Sequence, residues 1–328
     1  MRGLRSTATR GRRRPRSSRS IRTWRALGRL IGGHVVLASV VVSLAACLGS
    51  FVLLHRLTND LAGREVADGA VLYLAVFPTA LFLQAAYAES LFLLLALATF
   101  VLAERGRLVR AGAACGLALL TRPSGIAVLA AVAVFAVRGR EWKRGAAAIA
   151  VSLALFCLYP LLLWSQHRDP LAFAAAQHHW GRRFSPLGPV VAVVGSVAMT
   201  VLYAASFVAP PPATKAFSEF QSAAFNNAMA LLGLVMFVAL LRCLYRRFGA
   251  RSPYFVYAAA SVALPLFSPI RGDPLLSLPR FGLVIFPFFI VLAMSGPFRR
   301  GAHAAYVTAS AALLTVASVA FGLYDWVA

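Results

Sequence analysis

Residues 34–54 read HVVLASVVVSLAACLGSFVLL, and this stretch decides the fold. It contains no Asp, Glu, Lys or Arg. At about 1.5 Å per helical residue, about 20 apolar residues cross the hydrocarbon of a bilayer. No small-residue cleavage site follows the run, so it reads as a span rather than a secretory signal. Working outward, further apolar segments occupy 66–83, 88–103, 111–137, 145–164, 187–208, 222–241, 253–269, 280–296 and 303–324. Lipid admits only helices or closed barrels, because every backbone N–H and C=O must be satisfied within the chain. The runs are continuous and lack the two-residue alternation of barrel strands. The expectation is an all-α polytopic membrane protein with about 8–10 hydrophobic helical segments, some short or re-entrant.

Composition agrees. Of the 328 residues, 60% are hydrophobic and 13% charged. Soluble domains average about 45–50% and about 25%. This excludes disorder, a coiled coil and a disulfide scaffold. Cys47, Cys115, Cys157 and Cys243 lie in or beside apolar stretches without metal-ligand spacing, so no metal site is expected. No cofactor motif is present either. The 33 basic and 10 acidic residues give a net charge of +23. Eleven arginines fall between Arg2 and Arg29, in a basic tail (1–29) with no hydrophobic periodicity. The multi-span domain follows over 30–328. Most other basic residues cluster between apolar runs, the pattern of cytoplasmic loops rather than of a nucleic-acid surface, so no nucleic-acid partner is expected.

Orientation follows from the clusters Arg105/Arg107/Arg110, Arg138/Arg140/Lys143/Arg144, Arg242/Arg246/Arg247/Arg251 and Arg299/Arg300, all expected on the cytoplasmic side. For the first two to share a side, 111–137 must go in and return, turning at Thr121-Arg122-Pro123-Ser124-Gly125. Loops 165–186 and 270–280 are then outside. To return the chain by Arg242, one of 187–208 and 222–241 must fall short of a crossing; the Gly- and Ser-containing 187–208 is the expected one. Three candidate spans precede Arg105, an odd number that places the basic tail outside, against the rule.

Ionisable groups at membrane depth are functional candidates. Glu89 opens the 88–103 span, where a helix-dipole role is the alternative. Arg122 sits at the turn of 111–137, as a phosphate-binding cation or as a snorkelling arginine. Asp169 precedes Pro170 and reads as an N-cap or as a substrate contact, with Trp180, Arg182 and Arg183 following in the same loop. His178 and His179 are adjacent and cannot face one metal from a helix. Arg280 stands where a membrane helix begins, opposing its dipole; an anionic ligand or a pairing with Asp273 would account for it. Together these groups form a candidate site for a phosphate-bearing, partly lipidic substrate.

Several stretches resemble the PIG-V-type mannosyltransferases, multi-span enzymes of the GT-C class. They are Val76-Phe77-Pro78-Thr79-Ala80-Leu81-Phe82, Tyr87-Ala88-Glu89-Ser90-Leu91-Phe92 and Thr121-Arg122-Pro123-Ser124-Gly125. Asp169-Pro170-Leu171-Ala172-Phe173 through Gln177, Trp180-Gly181-Arg182-Arg183, and Ser277-Leu278-Pro279-Arg280-Phe281 with Phe286-Pro287 complete the set. The resemblance covers about residues 25 to 328 in the family's order. It implies a GT-C-like fold and a polyprenyl-phosphate mannose donor (dolichyl in eukaryotes). It further implies a glycolipid or envelope-glycan acceptor, inverting transfer on the non-cytoplasmic face and a role like that in GPI-anchor biosynthesis. Arg122 and Arg280 would hold the donor phosphate, and Asp169, Trp180, Arg182 and Arg183 would contact substrate.

Family members begin with a span and an outer loop bearing an aromatic–Asp pair, whose Asp is the expected base. This chain has no Trp-Asp pair, and Asp325-Trp326 is reversed. The resemblance therefore leaves the catalytic residue unknown, with Glu89 and Asp273 as candidates. It also implies a non-native start over 1–24 and a chain inactive by itself. The alternatives are a non-catalytic membrane partner of a glycosyltransferase complex and a multi-span transporter. The excess of Arg over Lys (31 to 2) points to a G+C-rich genome and hence a bacterial plasma membrane rather than endoplasmic reticulum.

Overall fold

In the computed structural model of the chain, the described residues are 35–167, 169–171, 181–208, 215–270, 273–295 and 300–323. The basic tail, Trp180, His178 and His179 lie outside them. The chain divides into two units, 1–38 and 39–328. Only the helical residues 35–38 of the first are described, and everything below concerns the second.

All regular structure among the described residues is helical. The elements are α1 (Val35–Ala62), α2 (Arg64–Ala75), a 3-10 turn (Ala80–Leu83), α3 (Glu89–Glu104), α4 (Leu108–Thr121), α5 (Gly125–Arg138) and α6 (Trp142–His167). They continue with α7 (Gly188–Val208), α8 (Lys215–Phe248), α9 (Pro253–Leu266), α10 (Leu278–Gly282), α11 (Phe286–Met294) and α12 (Arg300–Gly322). Five helices, α1, α6, α7, α8 and α12, are long and apolar enough to cross a membrane. The protein is an all-α integral membrane protein of several passes. α4, α5 and α9 are apolar but shorter.

The expected break in 111–137 is present: α4 ends at Thr121 and α5 begins at Gly125. Pro123 lacks the N–H that would continue the ladder. Gly125 packs on the backbone of Leu119, where an added Cβ would stand 2.7 Å from its Cα. Two expected spans differ from the sequence reading. Segment 66–83 is not one helix: α2 stops at Ala75, and the Phe77-Pro78 corner leads into the 3-10 turn. Segment 187–208, expected to fall short, is instead a 21-residue helix of spanning length. Its small polar residues do not break it, because they are satisfied in place. Ser196 Oγ donates to Asn227 Oδ1 on α8 (3.2 Å), and Thr200 Oγ1 donates to the Ser196 carbonyl (2.8 Å).

α4 packs closely on α6. Gly112 lies against the backbone of Ala148, and Ser152 Oγ donates to the Gly112 carbonyl at 2.8 Å. Small residues at such a seam let two helices approach where lipid supplies no hydrophobic drive. An aromatic core links the other elements. The Phe100 ring meets Phe135, Tyr254, Tyr257 and Phe286, and buried Tyr257 donates to the Val284 carbonyl at 2.8 Å.

Two ends result. α3 carries Glu89 at one end and Glu104 at the other, about 22 Å apart along its axis. α1 runs the same way: Ser43 Oγ donates to the Tyr87 carbonyl (3.3 Å), while Leu61 shares a cavity with Glu104. The break at 122–124 and the stretches 76–88 and 273–277 lie at the Glu89 end, and Arg138 and Arg247 at the Glu104 end.

Candidate functional site

Four elements meet at the Glu89 end. Glu89 is the first residue of α3, Arg122 follows α4, Arg280 belongs to α10, and Arg182 precedes α7. The α10 helix is only five residues long and is preceded by Ser277 in the left-handed region, φ 66°. So short a helix carries little dipole, which removes the expected conflict between Arg280 and a helix N-terminus. The kinked entry turns Arg280 inward.

There it meets Glu89, and the expected alternative partner, Asp273, does not pair with it. Arg280 Nε donates to Glu89 Oε1 at 2.6 Å, and Arg122 Nη1 donates to the same oxygen at 3.0 Å. The Glu89 side chain is 1% exposed, Arg122 13% and Arg280 14%. One carboxylate thus holds two guanidinium groups away from water. Each guanidinium has five N–H donors and Glu89 takes one of each. Glu89 Oε2 is buried with no hydrogen-bond partner among the described residues.

Aromatic rings complete the walls. Arg280 lies over Phe82 and Tyr87, with centroids at 4.4 and 4.3 Å. Arg122 lies over Phe92 (5.9 Å) and Phe281 (5.3 Å), and Arg182 over Phe281 as well (5.5 Å). All are within the range of a cation–π contact, which partly replaces lost hydration. Phe82 and Tyr87 are held by Phe321 of α12. The sequence reading did not single out these rings. For three of them the signal was present, since Tyr87 and Phe92 share a quoted motif with Glu89 and Phe281 follows Arg280; Phe82 had no charged neighbour in its motif.

Arg182 extends the cluster. Its Nη2 donates to the Leu276 carbonyl at 3.3 Å, and Asp273 is its electrostatic partner. Burial lowers the Arg182 pKa from its ordinary value, opposed by Asp273. Burial also pushes the Asp273 carboxyl up to about 6, opposed by Arg182, and its Oδ1 has no hydrogen-bond partner among the described residues. The remaining candidates stand apart. Asp169 is exposed and its Oδ1 accepts from the Leu171 N–H at 2.9 Å, as in a cap or Asx turn. Arg183 is exposed.

Beside the cluster lies an apolar groove of about 600 Å³, bounded by Phe77–Thr79, α8, the 273–279 loop and α12. Asp273 is the only charged residue on its lining among the described residues. Pro279 lines it, the next residue is Arg280, and Thr79 Oγ1 donates to the Pro279 carbonyl at 3.4 Å. Groove and guanidinium cluster therefore share a wall. No group of His, Cys, Asp or Glu among the described residues is arranged to hold a metal.

No family model, no curated protein and no solved structure matches this chain. The functional reading therefore rests on the cluster, the groove and the residue patterns described above.

Proposed function

We propose that the protein is a membrane glycosyltransferase that moves mannose from a polyprenyl-phosphate donor to a lipid-linked or envelope-glycan acceptor on the non-cytoplasmic face. The observation that carries this reading is the pair of buried guanidinium groups on Glu89, sharing a wall with an apolar groove of about 600 Å³. Guanidinium binds phosphate oxygens bidentately, and in a water-poor site that attraction is strong. The groove takes the lipid portion, and the arginines take the phosphate.

In the reaction, an acceptor hydroxyl oxygen bonds to mannose C1 while the bond from C1 to the phosphate oxygen breaks, with inversion. The electron pair leaves with the phosphate, and Arg122 and Arg280 stabilise that charge. The hydroxyl proton goes to a carboxylate. Asp273 suits this role better than Glu89, since burial raises its carboxyl to about 6 and its Oδ1 is unpaired among the described residues, while Glu89 is engaged by two arginines. Asp169, Trp180, Arg182 and Arg183 are proposed as outer contacts to substrate, and the plasma membrane of a bacterium as the location.

The test is transfer of radiolabelled mannose from polyprenyl-phosphate mannose by the purified full chain in proteoliposomes. Transfer that depends on Arg122 and Arg280 supports the reading. Arginine-dependent binding of the donor without transfer replaces it with the non-catalytic partner. Arginine-dependent uptake of a solute without transfer replaces it with a transporter.

A further inference from the structure

The opposite end of the bundle holds a second cavity, of about 560 Å³, which the transfer chemistry does not use. Glu104, Arg138, Glu141, Arg247, Ser252 and Tyr254 line it, with Phe135 and Phe248 on its apolar side. Its basic residues come from two places far apart in sequence, Arg138 at the end of α5 and Arg247 at the end of α8. The charged groups of the lining therefore balance, two guanidinium groups against two carboxylates.

The polar atoms of the lining say more. Tyr254 donates to Glu104 Oε1 at 2.8 Å, and Arg144 Nη1 donates to Glu141 Oε1 at 3.2 Å. Glu141 Oε2 and Ser252 Oγ are buried and have no hydrogen-bond partner among the described residues. Ser252 is 2% exposed and occupies the N-cap position of α9, yet makes no cap bond. A serine there ordinarily caps the helix through its hydroxyl. An unpaired buried carboxylate oxygen asks for a strong donor, and the strongest match is a cation.

Cations and carboxylates facing one cavity, with apolar rings beside it, call for a ligand that carries both signs and a hydrocarbon root. We infer that this cavity binds the zwitterionic headgroup of a phospholipid bearing a primary ammonium. Arg138 and Arg247 take the phosphate, Glu141 and Glu104 take the ammonium, and Ser252 bonds a headgroup oxygen. The acyl chains leave past Phe135 and Phe248. Such a lipid ties the ends of α3, α5, α8 and α9 together at the basic, cytoplasmic end. The inference is independent of whether the protein transfers mannose.

Delipidated full-length protein in detergent, titrated with phosphatidylethanolamine or phosphatidylglycerol of identical chains and read by native mass spectrometry, tests it. Phosphatidylethanolamine is expected to be retained preferentially. Glu141→Gln is expected to reduce its retention roughly tenfold and leave phosphatidylglycerol unchanged, because a charged hydrogen bond is lost. Arg247→Gln is expected to weaken both lipids. The thermal midpoint of each variant, measured without lipid and expected to stay near the wild-type value, separates lost binding from lost folding. Equal retention of the two lipids, or retention of phosphatidylethanolamine unchanged by both substitutions, overturns the inference. So does equal binding of soluble glycerophosphoethanolamine, which would make the ligand a free phosphodiester rather than a lipid.

Discussion

The two ends of α3 carry acidic residues that face arginines, and they behave as opposites. At the Glu89 end the charges are buried, share one oxygen atom and are walled by aromatic rings. At the Glu104 end Arg138 and Arg247 are exposed, Glu104 accepts from Tyr254, and Arg144, joined to Glu141 at 3.2 Å, is 67% exposed. Charge count does not separate these regions; desolvation does. A buried pair has given up hydration, so removing one member leaves an uncompensated charge in a poor solvent. An exposed pair is screened and loses little when broken. One end keeps its charges away from water, and the other leaves them facing it.

Removing Glu89 should break the contrast most forcefully. Glu89→Ala strands two buried guanidinium groups, and a loss of about 3–5 kcal/mol is expected in thermal or denaturant unfolding. A loss below about 1 kcal/mol would mean that the arginines reach water and that the end is not desolvated. Arg280→Ala comes next. It should slow mannose transfer by on the order of 2–4 kcal/mol, roughly 30- to 1000-fold, as expected when a donor to developing phosphate charge is lost.

Asp273 makes the stability of the Glu89 end depend on pH. Its folded pKa, about 6, lies above the ordinary 3.8, so the folded protein holds the proton more tightly than the unfolded chain. Its contribution to stability is therefore present below about pH 4 and is lost as pH rises through about 6. Asp273→Asn should raise stability relative to wild type above pH 6 and leave it unchanged below pH 4, measured by unfolding across that range. If Asp273 accepts the acceptor proton, transfer should also rise through about pH 6 in the wild type and lose that limb in Asp273→Asn. The smallest effect belongs to the other end: Glu141→Ala should change stability by only about 0–1 kcal/mol in the absence of lipid.

The sequence already showed much of this division. Apolar runs gave the membrane class, and Thr121-Arg122-Pro123-Ser124-Gly125 gave the turn that places Arg122 at the end of α4. Glu89, Arg122 and Arg280 were each visible as misfits at membrane depth. Their mutual pairing was not, because Glu89 and Arg280 are 191 residues apart and only the folded chain brings them together. Arg280 seemed to oppose a long helix dipole, since nothing local announced that α10 would end after five residues. Segment 187–208 was expected to fall short of a crossing because of the basic-cluster count and its Gly and Ser content, while the partners that satisfy its serine and threonine, Asn227 and a helical carbonyl, are supplied by the folded structure.

The central claim is that Arg122 and Arg280 hold the phosphate of a lipid-linked sugar. The most direct test is the affinity of polyprenyl-phosphate mannose for the purified full chain in nanodiscs, compared with Arg122→Ala and Arg280→Ala. The wild type should bind saturably and each variant at least tenfold more weakly, in line with the loss of a charged hydrogen bond. Equal affinity in all three proteins, or no saturable binding by the wild type, would contradict that claim.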